Sequence, residues 1–397
     1  MKIRETAILA LSCCCFSITT DSEPIRVGAD QVIEHPYFKL LRGKRIGIIT
    51  NQTGVNSKLK STIKILSHHP ELEVVAIFSP EHGLMGRIQA GTPISSQGKI
   101  YSLYGRNRAP TSQMLAKVDV LLYDIQDVGV RFYTYISTLY LSLQAAAEHQ
   151  IPLIVLDRPD PTGGSQIEGP VLQEKYKSFV GIEKLPIRYG MTPGELAQMF
   201  NIEKNLNCNL KIIPLLGWRR GQWYDQTGMQ WIPPSPNMPT LRTASVYAGF
   251  CLIEGTNISE GRGTKHPFEF IGAPWLDNKK LVDRLNKHRL PGVNFRLQTF
   301  TPSFSKYKDE LCLGVQIHVF DRDSFKPTEA VLFFLSEVLK LHPRKITFHR
   351  EKFDALAGNS WIREALNHNH PVKTIVARWQ HSLEKFKDKR KKYLLYD

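Results

Sequence analysis

Short apolar runs recur along the first half of the chain, separated by helix-like segments. Residues 44–50 (KRIGIIT), 72–79 (LEVVAIFS), 119–125 (DVLLYDI) and 152–158 (PLIVLDR) are largely apolar and rich in β-branched side chains. Near-continuous runs of this kind fit strands covered on both faces. Helices are predicted at 59–68, 112–117 and 138–149, and at 193–200, where Thr192 and Glu195 form a capping-box pattern. Strand and helix in repeated order predict a parallel sheet with right-handed crossovers.

The second half has a different texture. Residues 209–216 and 313–320 read as strands, and 328–341 and 359–366 as helices, whereas 217–274 is rich in Gly and Pro and weakly periodic. A segment of that length in a compact protein commonly shapes a site. A soft boundary is placed near Leu206, giving a first unit over 21–206 and a second over 207–397.

Composition changes this picture little. A chain of 397 residues that is 42% hydrophobic can bury a large core. Residues 1–20 set Lys2 and Arg4 before an apolar stretch and small residues, a pattern that resembles a secretory leader and predicts a secreted or periplasmic protein. Cys13, Cys14 and Cys15 raise the alternative of a lipoprotein, although Ala10, Leu11 and Ser12 fit a lipobox poorly. No later run reaches the ~18 apolar residues of a membrane span. Cys208, Cys251 and Cys312 are too widely spaced to suggest a disulfide framework or a zinc cluster. The formal charge of +15 is partly local to the terminal EKFKDKRKKYLLYD. No base-reading motif accompanies it, so a nucleic-acid partner is not expected.

The candidate chemistry gathers where the predicted strands end. Each is followed by a polar turn: one contains Asn51, the next Glu81 and His82, the third Asp124 and Asp127, and the fourth Asp157 and Arg158. Ligands of open parallel sheets bind beyond those carboxyl ends. Neither GxGxxG nor GxxxxGK[ST] occurs, and no cofactor is expected. Glu81, His82, Asp124 and Asp127 could ligate a cation, but no HExxH-like pattern supports a metal. A glycosidase needs an acid for the leaving oxygen and commonly a second carboxylate, which Glu81, Asp124, Asp127, Glu168 and Glu260 could supply. Trp218, Trp223, Tyr224 and Trp231 suit either stacking on sugar rings or core packing. The polar segment 254–264 (EGTNISEGRGT) reads as an exposed turn or as a loop that holds an anion through Arg262.

Taken together, TNQTG, FSPEHG, AGTP, YSLYG, DIQDVGVRFYTYISTL, VLDRP, EGP, YGMTPGELA, PSPNMP, EGTNISEGRGT and PFEFIGAP resemble the NamZ-like exo-β-N-acetylmuramidases over about Gly28 to Tyr396. The resemblance implies a Rossmann-like parallel-sheet domain with a second, smaller α/β domain closing a cleft. It implies release of N-acetylmuramic acid from the non-reducing ends of peptidoglycan fragments. The family's acid in SPEHG falls on Glu81 and its EGP acid on Glu168, with Asp124 kept as a further catalytic candidate. Asn51, His82, Asp127, Arg131, Arg158, Glu260 and Arg262 are the expected substrate contacts. One of the three arginines is expected to hold the lactyl carboxylate, with ordinary ion pairing to Asp124, Asp127 or Asp157 as the alternative. Two departures stand out: Asp160 and Thr162 replace residues of the usual DRPNPLGG, and Tyr189 replaces the His of HGMT. A muropeptide-binding protein without catalysis, or a hydrolase or transferase for another amino sugar, are the competing readings.

Overall fold

A computed structural model describes residues 25–92 and 98–397. The expected leader at 1–20 lies outside the described residues. Six strands form one parallel sheet: β1 (Arg45–Thr50), β2 (Glu73–Ser79), β3 (Ile100–Ser102), β4 (Val120–Asp124), β5 (Leu153–Leu156) and β6 (Leu210–Ile213). Their spatial order is β3-β2-β1-β4-β5-β6. Successive side chains on a strand point to opposite faces. Ile46, Ile48, Val120, Leu122, Ile154 and Leu156 therefore enter one core, while Ile49, Leu121, Tyr123, Leu153 and Val155 enter the other. With both faces covered, no polar alternation survives in the sequence.

The strand order also locates the crevice. The chain steps outward from β1 to β2 and β3, then returns to lay β4 on the free side of β1. The switch point lies between β1 and β4, where Thr50 and Asp124 are register partners. The helix Pro193–Glu203, capped by Thr192 and Glu195 as the sequence predicts, leads from β5 towards β6. The boundary expected near Leu206 therefore falls inside the last crossover of the first sheet.

The second unit is built on an antiparallel sheet, β7 (Phe270–Ala273), β8 (Val293–Phe300) and β9 (Cys312–Val319), in the order β7-β9-β8. The larger core runs unbroken from Leu139 and Val155 beside the parallel sheet to Phe250, Val315 and Phe334 in this unit. The helix Leu241–Phe250 lies within the weakly periodic 217–274 segment, whose pattern predicts no helix. Thr240 caps it, and every residue from Thr243 to Phe250 is buried, so it has no polar face from which a helical period could be read. Gly249 is required there, because a Cβ would lie 2.0 Å from the Pro327 carbonyl oxygen.

Two long-range ties join distant parts of the chain. Arg131, with no exposed surface, donates to the carbonyls of Pro170 and Leu185 in the first unit and Leu356 in the second, each at 2.8 Å. The final residues return to the parallel sheet: Leu395 N donates to Glu195 at 2.8 Å, the Tyr396 hydroxyl to Asp157, and Arg220 N to the Asp397 carbonyl at 2.7 Å. Cys208, Cys251 and Cys312 are buried thiols. Among the described residues no helix is long and apolar enough to cross a membrane.

Candidate active site

β2 ends at Ser79, and the chain turns at once. Gly83 N donates to the Pro80 carbonyl at 3.1 Å, and both His82 and Gly83 adopt left-handed φ, +73° and +75°. A non-glycine residue in that region is uncommon and is held there by its surroundings. Here the holding contacts are two bonds to one residue: Ile88 N donates to the His82 carbonyl at 3.3 Å, and His82 Nδ1 lies 2.7 Å from the Ile88 carbonyl. The turn thus fixes the backbone of Glu81 and His82 on a closed loop.

Glu81 is 8% exposed and lines a cavity of about 100 Å³ together with His82, Tyr133, Thr134, Asn237 and Arg262. Its carboxyl group is surrounded by donors. Gly91 N reaches Oε1 at 3.1 Å, Thr134 Oγ1 reaches Oε2 at 2.7 Å, and the Tyr104 hydroxyl is a third partner. Burial and the neighbouring Glu81 push Tyr104 up to about 12, so its hydroxyl keeps its proton and donates. Any proton that Glu81 transfers must occupy the lone pair these donors leave free.

The polar segment 254–264 meets Glu81 at this cavity from the second unit. Arg262 is 15% exposed along its side chain and is gripped by Glu254 at 2.7 Å and Glu260 at 3.4 Å. Lys352 also pairs with Glu254, at 3.1 Å, and Lys306 with Glu260, at 3.0 Å. Although burial opposes it, Glu254 and Glu260 hold Arg262 above its ordinary pKa, so the guanidinium is a permanent cation. The partners of Arg262 are thus these two glutamates and none of the aspartates considered from sequence. Glu260 acts behind the arginine.

The remaining candidates are not brought to this cavity. Asp124 is fully buried, with Oδ1 accepting from Arg158 Nε and Oδ2 from Thr62 Oγ1, both at 2.6 Å. Burial pushes its carboxyl up against the pull of Arg158. Arg158 is 1% exposed and also donates to the Val55 carbonyl at 2.7 Å, so its fork is spent inside the switch point. Arg131 is spent on the three carbonyls that join the units. Asn51 accepts from Thr53 N at 2.9 Å and donates to the Tyr135 hydroxyl at 3.0 Å, which in turn donates to the Pro234 carbonyl. It braces the loop that carries Asn237. Glu168 lines a different cavity, of about 170 Å³, with Lys326 and Trp379, and its Oε1 accepts from Glu329 N at 3.0 Å. Burial pushes its carboxyl up to about 7.

Asp127 lies in a buried polar cluster with the two departures from the family pattern. Its Oδ2 accepts from Gly129 N at 2.9 Å and from the Tyr189 hydroxyl, while Asp160 accepts from Thr162 N and Oγ1 at 3.0 Å. Burial pushes Asp127 up to about 7. The folded chain therefore holds a proton that the unfolded chain releases near pH ~4, and stability contributed at low pH is lost as pH rises from ~4 through 7. Asp127→Asn, which keeps an acceptor for Tyr189, is expected to flatten the fall in urea midpoint over that window. An unchanged slope would show that the folded Asp127 is ionised.

Trp218, Trp223 and Tyr224 are buried, and half-buried Trp231 donates to the Met238 carbonyl at 3.3 Å. The packing alternative describes them. Thr134, Tyr104, Asn237 and Glu254 are the site residues that the sequence did not single out. Each stands inside a quoted motif, RFYTYISTL, YSLYG, PSPNMP or EGTNISEGRGT, where nothing in the local pattern distinguishes it.

The comparisons with known proteins agree with this architecture. The N-terminal model of exo-β-N-acetylmuramidase NamZ matches residues 46–242, and the C-terminal model matches 245–396. The peptidoglycan β-N-acetylmuramidase NamZ of Bacillus subtilis (strain 168) is 46% identical over 385 residues, covering 95% of this chain and 93% of the relative. A crystal structure of a DUF1343 family protein from Bacteroides fragilis NCTC 9343 superposes with a TM-score of 0.87 at 40% identity, covering 94% of this chain and 99% of the other. A second such protein from the same organism gives 0.74 at 35% identity, with the same coverage.

Proposed function

The chain belongs to the exo-β-N-acetylmuramidase NamZ family, and on that premise we propose that Glu81 delivers the proton to the glycosidic oxygen as an N-acetylmuramic acid residue leaves a peptidoglycan end. The protein is a glycosidase. Cleavage of a β-glycosidic bond needs an acid at the leaving oxygen, because an unprotonated sugar alkoxide is a poor leaving group. The observation that carries the assignment is a buried carboxyl lining a cavity beside one permanent cation. The other carboxyl of the cavity, Glu254, is ion-paired to Arg262 and Lys352.

Arg262 supplies the recognition. Muramic acid differs from glucosamine by a lactyl ether that ends in a carboxylate, and a planar guanidinium binds a carboxylate through paired hydrogen bonds. Glu254 and Glu260 orient the guanidinium while Lys352 and Lys306 offset their charge, so the site keeps a net attraction for an anion. A chromogenic muramic acid glycoside assayed against its glucosamine analogue tests the reading. The wild-type protein should release chromophore only from the first; binding of the first without release would make this a sugar-binding protein. Arg262→Lys retains the charge and loses the planar fork. It is expected to lower kcat/KM on the muramic substrate by ~10-fold or more, with a smaller change in any residual glucosaminidase rate. Equal losses on both would mean that Arg262 only holds the loop together.

A further inference from the structure

Direct attack of water on the anomeric carbon uses a second group, one that takes the water proton, and His82 has the features of that part. It is 6% exposed and lines the same cavity as Glu81. Its Nδ1 lies 2.7 Å from the Ile88 carbonyl, and a carbonyl can only accept. The ring proton is therefore on Nδ1, which leaves the lone pair on Nε2. Burial holds the imidazole below its ordinary pKa, opposed by the neighbouring Glu81 and reinforced by Arg262, the charged groups that act on it. A neutral ring of fixed tautomer on a backbone locked at φ +73° is a preorganised proton acceptor. The alternatives among the carboxylates are engaged elsewhere: Glu254 is ion-paired, and Glu168 lines the other cavity.

We propose that His82 is the general base of the reaction and that hydrolysis consequently inverts the anomeric carbon; this rests on the reading of Glu81 as the acid. In the step, water oxygen bonds to the anomeric carbon as the bond from that carbon to the leaving oxygen breaks. His82 Nε2 takes one water proton, and Glu81 gives its proton to the departing oxygen. The products are the shortened glycan with a free hydroxyl and N-acetylmuramic acid as its α-anomer. His82 is left as imidazolium and Glu81 as carboxylate, and exchange of protons with solvent resets both.

The first test follows the anomer released from a β-linked substrate by proton NMR before mutarotation. The α-anomer is expected. Release of the β-anomer would overturn the proposal while leaving the muramidase reading intact, and no release of muramic acid at all would remove both. The second test uses His82→Asn, because Asn tolerates left-handed φ and keeps the turn. Folding is checked by circular dichroism and thermal melting. The variant is expected to lose ~100-fold or more in kcat/KM and to lack the acidic limb of the wild-type pH profile. Added azide, which needs no base, should restore turnover and yield the α-glycosyl azide. An unaltered acidic limb, absence of azide rescue, or the same azide product from Glu168→Gln instead would assign the base elsewhere.

Discussion

Replacing Glu81 by Gln is expected to cost at least ~100-fold in turnover, and the loss should depend on the leaving group. Gln keeps the shape of the side chain. Its amide oxygen can still accept from Gly91 N or from Thr134, so the turn and the fold should survive; what it lacks is a transferable proton. A substrate with an acidic phenol departs without protonation, so the deficit should shrink on it and be largest on a natural sugar alcohol. The measurement is a pair of kcat/KM ratios, wild type over variant, on a good and a poor leaving group. A folded variant with near-normal rates would remove Glu81 from the chemistry. A large loss equal on both substrates would assign Glu81 to binding or to the water instead.

Asp124→Ala is expected to act on stability. The Asp124–Arg158 pair is sealed inside the switch point, and removing one partner leaves the other charge buried without compensation, which costs about 3–5 kcal/mol. Urea unfolding should show a midpoint shifted strongly downward with little change in slope. Replacing both partners together, as Asp124→Leu with Arg158→Met, should recover much of that loss, because apolar groups of similar volume leave no orphaned charge. At temperatures where the single variant stays folded, its kcat should lie close to wild type. A variant as stable as wild type but inactive would return Asp124 to the reaction.

The parallel sheet was legible because burial on both faces writes strands as apolar runs, and the turn at Glu81 because Pro80 and Gly83 punctuate the end of one. The crevice followed from the sheet and put Glu81 and His82 at it, whereas the place of Arg262 there followed from the family resemblance. Which polar residue of each turn faces the cavity was not legible. Asp124 and Glu81 occupy equivalent places after their strands, yet one is consumed by Arg158 and Thr62 while the other lines the cavity. That difference is decided by partners far away in sequence, such as Thr134 for Glu81 and Leu356 for Arg131. The helix Leu241–Phe250 escaped for a related reason: an element buried all round carries no period. The soft boundary at Leu206 placed β6 with the wrong sheet, since a strand's neighbours cannot be read from its own composition.

The return of residues 395–397 to the parallel sheet bears on how the chain is made. Leu395 and Tyr396 cap Glu195 and Asp157, residues that leave the ribosome some two hundred positions earlier. Until that tail emerges, the capping box of Pro193–Glu203 and the turn after β5 lack partners they have in the finished molecule. The nascent first unit therefore waits, incompletely satisfied, for its own far end. A chain clipped a few residues short would lose the donors of Leu395 and Tyr396, leaving Glu195 to Thr192 and Arg220, and Asp157 to Thr192 and Gly194.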